Sequence, residues 1–260
     1  MADAAKTAGD SQGPDSAAKR YKEEYAEFIE MAAHDLDAPL RKLGVLIEKV
    51  AAECQQERRD NVEAYMKRIN RCLGDMRSLI DSLTILSRAG IGPGTITEFG
   101  LDTVVQEAWR ELQPAADDKE AQLTVEPLPV VKADRIQYRQ LFKHLLQNAI
   151  IFGKKEVVPQ ITVKAEMLTG AEKENWLEGR EGSDHYKITV EDNGIGFRPE
   201  YAERIFRPFV RLHGKSEYEG NGIGLALCRK IAENHRGVIY AEGQEDAGAR
   251  FVLIISQTSN

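Results

Sequence analysis

Cysteine is scarce in this chain. Its three thiols, Cys54, Cys72 and Cys228, are odd in number and widely separated among 260 residues, which excludes a disulfide framework and any close-set metal knuckle. They read as small apolar residues in a reducing compartment. No apolar run approaches the length of a membrane span. The opening residues are small and polar, without the apolar core of a secretion signal, so the expected location is cytoplasmic. A basic excess is lacking too: 35 Lys and Arg stand against 42 Asp and Glu, a net charge of −7. That argues against nucleic acid or an anionic membrane surface as partner. Internal repeats are absent. What is present is 42% apolar and 30% charged, enough for a packed core under a polar surface, in one large domain or two modest ones.

The chain divides by pattern. Residues 1–18 are rich in Ala, Asp, Gly and Ser without periodicity and are expected to be a disordered tail. Residues 19–89 are helical. Ile29, Leu36, Leu43 and Val50 recur every seven residues, as do Ala32, Pro39 and Leu46. After a polar break at 55–60, Val62, Ile69, Met76 and Leu83 form one row and Tyr65, Cys72, Leu79 and Leu86 another. Met66, Leu73 and Ile80 widen the stripe to three positions per heptad, more than a two-stranded seam covers. Two such hairpins paired as a four-helix bundle in a homodimer would cover it; so would packing of the hairpin on its own C-terminal domain. Residues 90–97, with Gly90, Gly92, Pro93 and Gly94, are the expected linker.

Residues 98–258 alternate strand-like and helical segments. Strands are expected near 95–99, 121–126, 160–168, 185–191, 237–242 and 249–256, and helices near 101–116, 134–152 and 223–235. This is an α/β sandwich with helices on one face of a mixed sheet, and the chain as a whole is α+β. Residues 169–183 form a polar insertion whose Trp176 marks either a contact site or an aromatic folded back on the domain.

Three pieces of this domain carry chemistry. They are Asn148 within Leu145-Leu146-Gln147-Asn148-Ala149, the run Asp192-Asn193-Gly194-Ile195-Gly196-Phe197, and Gly220-Asn221-Gly222-Ile223-Gly224-Leu225 directly before an amphipathic helix. Glycines let backbone N–H groups approach phosphate oxygens, and a helix N-terminus favours the anion. Asp192, after a strand-like run, can accept a hydrogen bond from an exocyclic amine. Each piece has a plain alternative: Asp-Asn-Gly is also hairpin-turn chemistry, and a helical Asn is often only a surface residue.

In order and spacing, the pieces resemble the Asn box and two glycine boxes of the histidine kinase, Hsp90 and MutL superfamily, and Ile205-Phe206-Arg207-Pro208-Phe209 resembles the kinase Phe box. Upstream, Met31-Ala32-Ala33-His34-Asp35-Leu36-Asp37-Ala38-Pro39-Leu40-Arg41 is similar to the phosphoacceptor box of sensor histidine kinases. With Arg211-Leu212-His213 and Glu217-Tyr218-Glu219-Gly220 in a lid, the resemblance is to the phytochrome-like branch.

The resemblance implies an ATP-dependent protein histidine kinase. Its γ-phosphoryl acceptor would be His34, at a heptad position away from the seam and oriented by Asp35. Asn148 would hold Mg²⁺, which keeps most of its waters and needs few protein oxygens. Asp192 would read adenine, with Gly194 and Gly196 lining the base pocket, and Gly222 and Gly224 would leave room for phosphates. Arg211 and Lys215 on the lid would reach the γ-phosphate; His213 there reads as structural or solvated. The phosphoryl group would pass to an aspartate of a response-regulator receiver domain, docked near His34, Arg41 and Lys42.

Departures from the family pattern have consequences. His144 stands where a second Asn is usual, and Ile151 where a basic residue is usual. Losing one charge-assisted hydrogen bond, about 1.5–3 kcal/mol, would weaken ATP binding roughly ten-fold or more. Ala38 lacks the polar group that would place a hydrolytic water, so weak phosphatase activity is expected. An alternative is therefore a histidine phosphotransfer or scaffold dimer with a degenerate ATP-binding domain; a clamp ATPase would leave the His34 box unexplained. No recognisable sensor precedes the helices, so the input comes from a separate sensor protein or from a longer chain.

Overall fold

A computed structural model describes residues 14–55, 61–89, 92–168, 185–212, 218 and 222–257. The chain parts into two compact units, Met1–Arg77 and Ser78–Asn260. The division falls within the second helix, ahead of the 90–97 linker read from the sequence. Glycine and proline mark where backbone turns, and a continuous helical rod can pass from one set of contacts to another without either.

Two helices, α1 (Pro14–Gln55) and α2 (Val62–Ala89), make the N-terminal region. The first begins inside the stretch expected to be a tail; of that stretch, 1–13 lie outside the described residues. Proline is tolerated at a first helical position because its missing N–H has no intrahelical partner there, and the following Ala17, Ala18, Lys19 and Arg20 favour helix. Ala32, Leu43, Leu46 and Cys72 are buried, in keeping with the heptad rows, and the Cys72 thiol lies 3.4 Å from the Pro39 carbonyl. Pro39 also removes the N–H that an uninterrupted helix would give to the carbonyl of residue 35. The third row stays open: Met66 is 44% exposed, and Leu73 and Ile80 each 50%.

The second unit continues through β1 (Ile96–Gly100), α3 (Leu101–Asp118), β2 (Gln122–Val125), β3 (Val130–Asp134), α4 (Arg135–Ile151), β4 (Gln160–Met167), β5 (His185–Asp192), two short 3-10 turns, α5 (Gly224–Asn234), β6 (Val238–Gln244) and β7 (Gly248–Ser256). A five-stranded sheet runs β2-β4-β5-β7-β6, and β1 pairs with β3 separately. The β2–β4 pair is parallel and the other pairs antiparallel, so the sheet is mixed, as the sequence indicates. One face packs α4 and α5 over Ile161, Val163, Ile188, Val190, Phe251 and Leu253. The other combines buried Val252 and Ile254 with an ion-paired cluster in which Glu191 meets Arg250 and Lys164, and Arg250 also Glu242.

Strand β3 was not expected. Pro127 and Pro129 just before it read as loop, yet both precede the ladder with β1 and remove no hydrogen bond from it. The insertion with Trp176 lies outside the described residues; β4 and β5, which it joins, pair directly.

Residue Asp134 knots the domain together. One carboxylate oxygen caps α4, accepting from the Ile136 and Gln137 amides at 2.9 and 3.1 Å, and the other accepts from the Gly94 amide at 2.7 Å. Its own amide donates to His235 Nε2 at 3.0 Å, and His235 Nδ1 donates to the Ile231 carbonyl on α5 at 2.8 Å. Burial holds His235 below its ordinary pKa, consistent with this neutral tautomer. Asp134→Ala should lower stability by about 1–2 kcal/mol, read from a denaturant midpoint, because the cap's orphan amides lose their acceptor.

Candidate active site

Four residues of α4, His144, Gln147, Asn148 and Ile151, follow helical spacing and share one face. They form one wall of a cavity that Phe152 extends. The C-terminus of α4 is fixed by Lys119, whose Nζ donates to the Ile150 and Ile151 carbonyls at 2.7 and 3.1 Å, a cation where the helix dipole is negative. The facing wall comes from the head of α5, where Gly222, Ile223, Gly224 and Leu225 line the space. No side chain caps this helix, so its first N–H groups are available to an anion.

Asp192 closes one end. As the last residue of β5 it is carried to the cavity by the sheet, and its Oδ1 accepts from the Gly194 amide at 2.8 Å and the Ala249 amide at 3.3 Å. Burial raises its pKa, while those two amides and the charge of Lys154 oppose the rise. The carboxylate is thereby oriented with its second oxygen left for a ligand. Asn193 locks the same loop, its Oδ1 accepting from the Gln160 amide and its Nδ2 donating to the Val158 carbonyl. This is not a hairpin turn: β5 pairs with β4 and β7, and the chain leaves it for the 3-10 turns.

The glycines differ in what they do. Gly196 lines the cavity with φ +62°, and a Cβ there would come within 2.0 Å of the Gln244 carbonyl oxygen. Gly194 is not among the lining residues; its amide instead holds Asp192, and a Cβ on it would press on the Phe152 carbonyl. The expectation that it walls the base pocket is corrected to that of a support, because backbone from α4 occupies the space beside it. Gly222, at φ +68°, lies against the Phe209–Val210 backbone and accepts from the Phe209 amide, joining the second glycine run to the Phe-rich segment.

A lid residue, Arg211, lines the cavity, and its Nη2 donates to the Tyr218 carbonyl at 2.8 Å. The Tyr218 ring meets Phe152 at 5.1 Å. Lys215, His213 and Gly220 lie outside the described residues. So do the side chains of His34 and Asp35, whose backbone is part of α1; Ala38, Arg41 and Lys42 on that helix are exposed. Among the lining residues, Phe152, Val210, Ala249 and Phe251 are absent from the sequence reading. Phe152 stands four residues beyond Asn148, a spacing that offered a signal, and Tyr218 was noted only as part of the lid. Ala249 arrives from β7, and nothing in the sequence announces it.

Residues 133–259 match the family of histidine kinase-, DNA gyrase B- and HSP90-like ATPases. This stretch is an ATPase domain of that family. Among relatives of the chain is cyanobacterial phytochrome A of Nostoc, 32% identical over 91% of the chain. The chain spans only 29% of that protein's length. The Acinetobacter baumannii histidine kinase AdeS shares the fold with a TM-score of 0.63 at 19% identity, over 86% of this chain and 98% of that one. The histidine kinase ThkA, solved in complex with response regulator TrrA, gives 0.66 at 21% identity over 93% of this chain and 64% of that one. The phytochrome-like reading of the sequence therefore holds, and the cavity lies within the stretch that matches the ATPase family.

That cavity has a pH signature. Burial, and then the charge of Lys143, push His144 down to about 4. The unfolded chain, with an ordinary imidazole, binds the extra proton from about pH 6.5 downward, while the fold resists it until about 4. Stability from this group is thus complete above 6.5 and is lost as pH falls toward 4, by up to about 3 kcal/mol. Asp192 shifts the other way, so the comparison that isolates the effect is wild type against His144→Asn in denaturant melts stepped from pH 7 to 4. The variant should lose less stability on acidification.

Proposed function

We propose that the chain is the catalytic core of an ATP-dependent protein histidine kinase that phosphorylates itself on His34 and passes the phosphoryl group to an aspartate of a response regulator. The observation that carries this reading is Asp192, held by two backbone amides at one end of a cavity whose other wall is an uncapped helix N-terminus. A group that accepts from an exocyclic amine and a seat for phosphate oxygens stand in one space, as adenine nucleotide recognition requires.

Asn148 offers one amide oxygen on the cavity wall. Among the described residues no group of three His, Cys, Asp or Glu side chains stands ready for a metal. One neutral oxygen suits Mg²⁺ that arrives on the nucleotide with waters of its own, and its chemistry is to neutralise phosphate charge. The chain's residues do the rest. Asp192 fixes the base, Gly222 and Gly224 keep side chains clear of the phosphates, and Arg211 steadies the γ-phosphate with Lys215. An imidazole nitrogen of His34 attacks the γ-phosphorus; the bond to the β–γ bridging oxygen breaks, ADP leaves, and the proton on the other ring nitrogen passes to Asp35 or water. Position and charge govern such transfers.

In this reading the partners are a second copy of the chain and a receiver domain. The exposed row Met66, Leu73 and Ile80 on α2 supports the copy, since an apolar row of that length calls for burial. Exposed Arg41, ion-paired to Asp37 at 2.8 Å, and Lys42 supply polar anchors for the receiver near residue 34. The fold shared with ThkA, itself solved with a response regulator, supports that choice. Signal input comes from a sensor module or a separate sensor protein, and the setting is cytoplasmic, where ATP is. No helix among the described residues is long and apolar enough to cross a membrane.

The competing reading is a phosphotransfer scaffold, which Ile151 favours by placing an apolar side chain on the cavity wall. Incubation with γ-labelled ATP and Mg²⁺ separates the two. Acid-labile, base-stable label that chelation of the metal abolishes supports the kinase. Absence of label, with tight binding to a receiver, supports the scaffold.

A further inference from the structure

Gly92-Pro93-Gly94 belongs to the stretch expected from sequence to be a linker, yet the ATPase domain grips it. The Gly94 amide donates to Asp134 Oδ2 at 2.7 Å, and the Gly92 carbonyl accepts from Gln137 Nε2 at 2.9 Å. Gln137 is held in turn, its Oε1 accepting from Asn234 Nδ2 at 3.1 Å. Asp134 caps α4, Gln137 lies in the first turn of that helix, and Asn234 is the last residue of α5. Two helix ends therefore share the hold, through bonds that are half-buried. The linker sequence fits this fixed path. Gly92 has φ +106°, and a Cβ on Gly94 would stand 2.9 Å from Asp134 Oδ2. Pro93 between them has no N–H to leave unpaired. From Ile96, opposite Asp134, the β1–β3 ladder takes over.

This clasp is remote from the nucleotide cavity. Along α4, Gln137 precedes Asn148 by about 16 Å at 1.5 Å per residue, and along α5 Asn234 follows Gly224 by about 15 Å. Neither Gln137 nor Asn234 lines the cavity. What the clasp changes is reach. Two residues separate Ala89, the end of α2, from Gly92; without the clasp, six would separate Ala89 from Ile96. Effective concentration across a tether falls roughly as the −3/2 power of its length, so a three-fold longer one dilutes its ends about five-fold.

We propose that Gln137 is a positioning residue for phosphoryl transfer. With Asp134 it fastens residues 92–94 to the ATPase domain, keeps the tether to the α1–α2 hairpin short, and so holds bound ATP at high effective concentration around His34. The inference rests on the kinase reading and deepens it. It corrects the expectation that 90–97 is linker throughout: from Gly92 onward the chain is part of the ATPase domain. Asp134 also caps α4, so replacing it disturbs the helix as well. The Gln137 side chain takes no part in that cap, and changing it tests the clasp by itself.

The test compares wild type with two variants. Gln137→Leu keeps the size and removes both bonds; Gln137→Glu can still accept from Asn234 but cannot donate to Gly92. Hydrogen exchange resolved at single amides should show Gly94 exchanging about ten-fold or more faster in both variants, with the amides of β5 and β7 unchanged. Autophosphorylation should slow about three- to five-fold in kcat, while KM for ATP stays at the wild-type value. Unchanged Gly94 exchange overturns the proposal, since the hold then does not depend on Gln137. So does a freed Gly94 with kcat unchanged, and so does a KM that rises in step, which would put the effect in the cavity. A wild type that binds ATP and forms no phosphohistidine defeats the kinase reading itself, a result read without either variant.

Discussion

Asp192→Asn should lower ATP affinity by about a hundred-fold or more while leaving the fold intact. The asparagine oxygen can still accept from the Gly194 and Ala249 amides that hold Asp192 Oδ1, so the loop keeps its shape. The second oxygen, however, becomes an NH₂ group facing the exocyclic amine of adenine. A charge-assisted hydrogen bond of about 1.5–3 kcal/mol disappears, and two donors then confront each other in a dry site at a further cost of about 1–3 kcal/mol. Together these come to about 2.5–6 kcal/mol, against the roughly 2.7 kcal/mol of a hundred-fold change. Because burial already raises the Asp192 pKa, removing its charge should leave thermal stability equal or slightly higher. Calorimetry with ATP, beside a melting curve, checks both parts. Loss of binding together with loss of fold would mean that Asp192 is a structural residue.

Gly196→Ala should be the most damaging single substitution for stability in the glycine runs. The residue adopts φ +62°, and a Cβ would meet the Gln244 and Gly248 carbonyl oxygens at 2.0 and 2.6 Å. Those oxygens belong to backbone at the β6–β7 connection, which is paired in register from Gly243↔Ala249 to Gln244↔Gly248 and has little freedom to retreat. A left-handed conformation for alanine costs about 1–2 kcal/mol, and forced displacement of packed backbone about 1–3 more. A loss of about 2–5 kcal/mol in a denaturant melt is expected, with ATP affinity falling alongside because Gly196 lines the cavity. A variant as stable as wild type would show that the turn yields freely.

Periodicity made most of the domain legible. Helices over 101–118, 135–151 and 224–234 and the strands that alternate with them fall close to where hydrophobic spacing puts them. Strand β3 was hidden by the prolines that precede it, since a proline outside a ladder looks in sequence like one inside it. The site was legible where backbone chemistry dictates residue type: Asp192, Gly196, Gly222 and Gly224 all reach one cavity. It was illegible where tertiary contact decides. Gly194 supports a carboxylate because α4 ends beside it, Ala249 contributes only because β7 lies next to β5, and the His144 ring packs beside a glycine eighty positions later in the chain.

The measurement that bears most directly on the account is peptide mapping of the protein after incubation with γ-labelled ATP and Mg²⁺, alongside His34→Ala. The account predicts one phosphoramidate on the peptide containing His34, absent from the variant, while both proteins bind ATP equally. Label on another residue, label that persists in His34→Ala, or no label in a wild type that binds ATP would contradict it.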